Sequence, residues 1–301
     1  MRTWNGARFL DAQIASVLAR QGVRFASLIG GDASTDCTWP MLQDRAARSN
    51  CIRIFHHEHR LGLHANFASV LSNCQADFIA PCDQDDLRHP QKPMRLHAAL
   101  QSGGHALADC DPRLVDESGR HLALNMSDRF TLGEGSAALP LCFRNGISSH
   151  AMLFRRRLLD IVPAFPASFL RDCWLAICAA DSGSIAYLAE PQVGYRQHQA
   201  SQTDVAQRRR ALRDSWRIND ERAARLSAMA QLAGSDQPCL QQLSRLWAQR
   251  ANDHLCWQLV RPKTQRRYAL MRLNRRCNFA RFALQVLAGQ RWRARRQTSP
   301  T

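Results

Sequence analysis

Val23-Arg24-Phe25-Ala26-Ser27-Leu28-Ile29-Gly30-Gly31-Asp32-Ala33-Ser34-Thr35-Asp36 runs from an apolar stretch through two glycines into an acidic turn. The apolar part, 23–29, has the length and aliphatic content of a buried strand, and the glycines mark its end. Helical patterns flank it. Phe9, Ile14, Val17 and Leu18 give a helix face over about 7–20, and a helix over 38–48 tolerates Pro40 in its first turn. Working outward, 52–55 reads as a short strand, Phe67, Val70 and Leu71 mark a helix, and 77–81 is a strand that ends among acids. Pro90 opens a helix to about 101, and a strand follows at 105–110. Strands alternating with helices of this length predict crossovers and a largely parallel sheet. Beyond 111 the pattern loosens: a hairpin around 116–119, a polar loop at 125–137 and a strand at 147–154 come first. A helix at 171–181, strands at 184–188 and 191–197, and an Arg-rich helical remainder from about 204 follow.

A parallel sheet binds ligands at the carboxyl ends of its strands. Two of those ends are acidic here: Gly31-Asp32-Ala33-Ser34-Thr35-Asp36 and Cys82-Asp83-Gln84-Asp85-Asp86. Carboxylates crowded in this way repel unless a cation neutralises them. Asp83 and Asp85, two residues apart on a tight turn, offer hard oxygen ligands suited to Mg²⁺ or Mn²⁺, ions that share their shell with substrate phosphates. The plain alternative is a solvated acidic turn, with Asp86 serving the entry of the following helix.

Composition bounds the function. The 301 residues carry 41 Lys+Arg against 25 Asp+Glu, a net charge of +16, and 45% of residues are hydrophobic, which describes a globular protein. Residues 1–200 hold 20 basic and 19 acidic side chains, whereas 201–301 hold 21 and 6. The excess charge therefore belongs to the last third. A nucleic-acid-binding protein, the class that net charge alone suggests, is set aside because no reading motif or aromatic platform accompanies the arginines. No apolar run reaches the roughly 20 residues of a spanning helix, and Met1 to Leu10 lacks the layout of a signal peptide. Eleven scattered cysteines without a CxxC pair read as reduced, mostly buried thiols, so the expected compartment is the cytoplasm.

Further segments complete an ordered series: Trp4-Asn5-Gly6 before the first acidic turn, Pro90-Gln91-Lys92 after the second, then Leu153-Phe154-Arg155-Arg156, Arg171-Asp172-Cys173-Trp174-Leu175 and Tyr195-Arg196-Gln197-His198. In this order and spacing the chain resembles the family 2 glycosyltransferases, in particular their rhamnosyltransferase-like bacterial branch. The resemblance covers about residues 3–200. It implies a GT-A fold, an α/β domain with a Rossmann-like, mostly parallel central sheet. A nucleotide-binding half would span about 1–110 and an acceptor half about 111–200, with 201–301 a basic helical extension. It further implies that Asn5 and Asp32 contact the nucleotide of the sugar donor. Asp83 and Asp85 would hold the divalent cation on its diphosphate with His198 beside it, Arg196 would meet a phosphate, and Asp172 would be the catalytic base. The implied reaction is metal-dependent, inverting transfer of a sugar from a nucleotide-sugar, dTDP-rhamnose in the narrowest form, to a glycan or lipid-linked glycan acceptor of the cell surface. Asp172 as a helix cap, His198 as a loop histidine and Arg196 as a solvated cation are the plain alternatives.

The chain departs from the family pattern in several places. The apolar strand that precedes Trp4-Asn5-Gly6 in the family is missing before Met1. The reading adopted is a start placed downstream of the true one, against a shortened and inactive relative. Gly31 stands where the family has the first Asp of a pair, which removes a contact to the base of the sugar donor, and Ala33 replaces a glycine in a turn that favours a flexible backbone. Arg88 and Ser149 depart as well. In the extension, Phe279, Phe282, Ala283, Val286 and Leu287 form an apolar helical stripe flanked by arginines. Residues 263–301 are therefore expected either to meet an anionic membrane surface, placing the enzyme peripherally on the inner face of the cell membrane, or to pack on the catalytic domain.

Overall fold

A computed structural model describes residues 1–130, 134–136, 138, 141, 145–162, 171–199, 201, 224–230, 241 and 244–245. The expected stripe at 279–287 and the membrane-facing segment 263–301 lie outside the described residues. Among these residues the strands form a three-stranded and a six-stranded sheet. In the first, β1 (Arg2–Thr3), β2 (Ser27–Asp32) and β3 (Ile52–His57) are all parallel, in that order. Their crossovers are α1 (Ala7–Leu18) and α2 (Thr38–Ala47), and α3 (Leu63–Ser72) follows β3. Leu10, Ile14 and Val17 recur at i, i+4 and i+7 along α1, and all three are buried with Ile29, Leu42 and Ile52.

The second strand differs from its expected bounds. It begins at Ser27 rather than 23 and continues through Gly30, Gly31 and Asp32, which pair with Phe55, His56 and His57. The glycines do not end the strand; they let neighbours close on it. A Cβ at Gly30 would lie 2.7 Å from Asn66 Oδ1 and from Val70 Cγ2 of α3, and 2.8 Å from Phe55 Cζ.

The second sheet runs β4 (Phe78–Ile79), β8 (Met152–Arg155), β6 (Leu107–Val115), β9 (Ile185–Arg196) and β5 (Leu87–Arg88), with β7 (His121–Asn125) hairpinned onto β6. Only β6 and β9 are parallel; the other pairs are antiparallel. The parallel expectation thus holds for the first sheet and for one pair of the second. A parallel pair needs a crossover of a dozen or more residues, and the five-residue link between β6 and β7 is far too short for one. The predicted strands at 184–188 and 191–197 are one strand. Its register with β6 shifts between Cys110 and Pro112, next to Pro191 on β9, where a proline cannot donate to a ladder. Two helices cover this sheet. From α4 (Lys92–Ser102), Leu96 and Leu100 are fully buried, and Cys173 to Ala180 are all buried in the helix Arg171–Ser182. A short helix at Leu158–Ile161 is α5, and Arg171–Ser182 is α6.

Between β2 and β4 lies a cavity of about 580 Å³ lined by Met1, Ser27, Leu28, Val70, Phe78 and Ile79 among others. The chain divides into two compact units: Met1–Ala137 with Gly146–Phe165 and Leu170–Gln207, and Ala138–Asn145 with Pro166–Phe169 and Arg208–Thr301. In the second unit residues 224–229 are helical, with Leu226 and Met229 buried. Among the described residues no helix is long and apolar enough to cross a membrane.

Candidate active site

The first acidic turn is bolted to the start of α1. Asn5, in the left-handed region at φ 45°, accepts from the Thr35 N–H at 2.8 Å and donates through Nδ2 to Thr35 Oγ1 at 3.2 Å. Its own N–H donates to Ser34 Oγ at 3.1 Å. Asp36 accepts the N–H groups of Thr38 at 3.0 Å and of Ala7 at 3.2 Å, one from the start of each helix. Burial opposes its ionisation, but these bonds outweigh it and hold the carboxyl below its ordinary range. The residue predicted to touch the nucleotide, Asp32, is only 2% exposed. Its two oxygens accept from Leu61 N at 2.6 Å and Gly62 N at 2.9 Å. These bonds fasten the loop ahead of α3, and the expected contact of Asp32 with a nucleotide remains a proposal.

The second acidic loop is tied through Gln84 to Trp4, beside the Asn5 that holds the first. Its amide donates to Trp4 O at 3.0 Å and accepts from Trp4 N at 2.9 Å, as a strand partner would. A Cβ on Gly6 would collide with that amide, so the glycine of Trp4-Asn5-Gly6 makes room for Gln84. The turn around Gln84 sends its carboxylates in two directions. Asp85 Oδ2 meets His198 Nε2 at 2.9 Å. Asp83 instead pairs with Arg2 at 3.1 Å and faces His150 Nδ1 at 3.5 Å, and Asp86 lies 3.6 Å from the same nitrogen. The predicted trio of Asp83, Asp85 and His198 is thus brought together as one pair, with Asp83 turned to a histidine the sequence does not single out.

Electrostatics follow burial and partners. Burial works against ionised Asp83, yet the Arg2 guanidinium and His150 outweigh it and hold the carboxyl well below the usual range. Burial pushes Asp86 up to about 7, with the Asp83 and Asp85 charges adding to the effect. His150 is 4% exposed; burial disfavours its charge, but Asp86 and Asp83 together raise its pKa. The ring packs on Tyr195 at 4.4 Å between centroids, and its carbonyl accepts from Lys92 Nζ. Lys92, itself 1% exposed, is driven down to about 8 by burial.

Arg196, expected to meet a phosphate, is held by protein partners at the end of β9. It is 4% exposed, its Nε donates to Asp85 O at 2.7 Å, and its Nη1 donates to the carbonyls of Glu117 and Asp116. Its backbone N–H donates to Asp86 Oδ1 at 3.0 Å. Guanidinium and backbone together lock the end of β9 to the acidic loop and so bring His198 to Asp85. Asp172 stands in the first turn of α6, half-buried, with Oδ1 accepting from Cys173 N at 2.6 Å.

A divalent cation suits two donor sets on this loop. Asp85 and His198 are already in contact, and one atom from each of Asp83, Asp86 and His150 lies within 4.8 Å of the others. Carboxylate oxygen with imidazole nitrogen fits Mn²⁺ more closely than Mg²⁺, which favours an all-oxygen shell. Sequence reasoning misses His150, Gln84, Arg2 and Lys92 as parts of the site. The available signal for His150 is a polar residue immediately ahead of the apolar run Ala151-Met152-Leu153-Phe154.

A protein-family model described as Glycosyl transferase family 2 matches residues 1–162, more than half of the chain. The chain belongs to glycosyl transferase family 2. Uncharacterized proteins of Mycobacterium tuberculosis and Mycobacterium bovis are 28% identical to this chain over 190 residues, covering 57% of it and 49% of themselves. The chain thus spans about half the length of the curated relatives it matches. Among solved structures, S. aureus TarS 1–349 in complex with UDP-GlcNAc is similar with a TM-score of 0.58 at 14% identity, over 82% of this chain and 70% of that one. The mannosyltransferase PcManGT from Pyrobaculum calidifontis, in complex with GDP-Man and Mn²⁺, gives 0.55 at 14% identity, over 94% and 81%. These likenesses show the GT-A glycosyltransferase fold.

Proposed function

We propose that this glycosyltransferase moves a sugar from a nucleotide-sugar to a hydroxyl of a growing cell-surface glycan, in an inverting reaction that depends on a divalent cation. The observation that carries the reading is the Asp85–His198 pair at 2.9 Å, at the meeting of the acidic loop and the end of β9. Asp85 and His198 would hold the ion, which supplies charge neutralisation for the departing nucleoside diphosphate. Asp83, on the same loop, faces His150 instead. Asp172 accepts the proton of the acceptor hydroxyl, which is otherwise a weak nucleophile. A single base and no covalent sugar–enzyme intermediate give direct displacement, with inversion at the anomeric carbon. The complexes of the similar proteins with UDP-GlcNAc and with GDP-Man and Mn²⁺ support a nucleotide-sugar and a divalent ion. Rhamnose carried by dTDP is the narrower proposal, supported by the resemblance of the motif series to the rhamnosyltransferase-like branch.

Work at the cytoplasmic face of the membrane, on a lipid-linked acceptor, is proposed from the charge of the last third of the chain. Anionic liposomes are expected to co-sediment the full chain, and loss of 263–301 to abolish this; equal sedimentation of both rejects the membrane role.

The test of the reaction is a panel of nucleotide-sugars screened with Mn²⁺ for turnover, followed by Asp172→Asn. The variant is expected to keep sugar-donor binding and to lose at least about a hundredfold in turnover, the scale of general-base catalysis. Near-normal turnover removes Asp172 from the base role.

A further inference from the structure

The geometry points to Phe9 as the residue that positions His198 for the ion, an inference that rests on reading Asp85 and His198 as ion ligands. The imidazole of His198 packs on the Phe9 ring with centroids 4.8 Å apart and planes tilted by 38°. The same ring carries two guanidiniums, Arg8 and Arg196, each with Cζ 4.9 Å from its centroid. These cations are themselves fixed. Arg8 pairs with Glu117 Oε2 at 2.5 Å, and Arg196 donates to the Glu117 carbonyl and to Asp85 O. The β6–β7 turn, α1 and the end of β9 therefore converge on one aromatic ring, and His198 rests against it with Nε2 directed at Asp85.

Several torsions of the histidine are restrained by this packing. His198 N donates to Ser201 Oγ at 3.0 Å, and Ser201 N returns a bond to His198 O at 2.9 Å, which fixes the backbone. Backbone bonds do not set the ring plane. Among the described residues, contact with the Phe9 face and the bond to Asp85 do so. A ligand whose ring is held before the ion arrives loses less rotational freedom on binding it. Phe9 sits on the flank of the α1 stripe and is half-buried, whereas Leu10 and Ile14 fill the core. Replacing it therefore probes the ring contact more than the core.

The test compares Phe9→Leu, which keeps bulk without a ring, with Phe9→Tyr, which keeps the ring. Mn²⁺ affinity is read by the electron paramagnetic resonance signal of free Mn²⁺, and the ring itself by the His198 Hε1 resonance, assigned with His198→Ala. Phe9→Tyr is expected to bind Mn²⁺ within about twofold of the wild type, and Phe9→Leu about three- to tenfold more weakly, in the range of an aromatic pair contact. In the metal-free protein the Hε1 resonance should shift in Phe9→Leu through loss of the ring current. Unchanged Mn²⁺ affinity in Phe9→Leu, while His198→Ala weakens binding, overturns the positioning role alone. An unmoved resonance does the same. Unchanged affinity in His198→Ala overturns the ion site on which the inference rests.

Discussion

Ala33 and Gly31 show how far single residues decide the first acidic turn. Ala33 sits at φ 51°, in the left-handed region where a Cβ is strained, at a position where the family pattern has glycine. Ala33→Gly is expected to raise stability by about 1 kcal/mol, set against the entropy glycine adds to the unfolded chain. Thermal unfolding reads this as a higher Tm, and a lower Tm contradicts it. At Gly31 a Cβ would lie 3.1 Å from Trp39 Cε3 and 3.4 Å from His56 Cδ2, and those two rings pack together at 4.6 Å. The missing carboxylate is thus matched by an indole in the same space. Gly31→Asp should destabilise the wild type and be tolerated better beside Trp39→Ala, a coupling that a double-mutant cycle in urea measures. Additive effects would show that Trp39 does not occupy the carboxylate's place. The motifs single out Asp85 and His198, which the structure brings into contact at 2.9 Å. The hydrogen bonds of Asp32 and Gln84 are not legible, because each is made to backbone groups of segments about 30 and 80 residues away.

Among the elements, α4 and β2 teach opposite lessons. The bounds of α4 follow its Pro-Gln-Lys opening and apolar spacing, yet nothing in the pattern marks its first residue, Lys92, as buried. Burial drives Lys92 down to about 8 from a value near 10.4 in an unfolded chain. Between those values the unfolded state binds more protons than the folded one, so the contribution of Lys92 to stability rises with pH across the window and is flat below it. The stability of the wild type relative to Lys92→Met is therefore expected to increase from pH 8 to pH 10. Urea unfolding at several pH values checks this, and a constant difference contradicts it. In β2 the periodic signal was clear but its end was not. Glycines that end a strand and glycines that admit a close neighbour look alike in one sequence, and only the approach of Asn66, Val70 and Phe55 to Gly30 separates them.

Across the whole molecule, alternating strands and helices sufficed for the α/β class and for the parallel first sheet. The mixed second sheet was less legible: β4 is the centre of the strand expected at 77–81, but β5 is two residues long and leaves no periodic trace. The two sheets differ in support. β6 lies between β8 and β9 under buried residues of α4 and α6, whereas β2 borders the cavity. Amides of β6 and β9 should exchange with deuterium more slowly than those of β2 and β3 in native-state exchange; equal or reversed protection contradicts this. The net charge likewise resolves by region, into a nearly balanced first two thirds and a basic last third. Three acids of the first part, Asp83, Asp85 and Asp86, share the loop that meets His198. The central claim is that Asp85 and His198 hold a divalent ion on which sugar transfer depends. Release of nucleoside diphosphate from the best nucleotide-sugar of the panel, measured with Mn²⁺ and with excess EDTA, tests it most directly. The account predicts turnover that EDTA abolishes and Mn²⁺ restores, and that falls at least about a hundredfold in Asp85→Asn, the scale of losing one electrostatic stabiliser. Turnover undiminished by EDTA, or by Asp85→Asn, would contradict it.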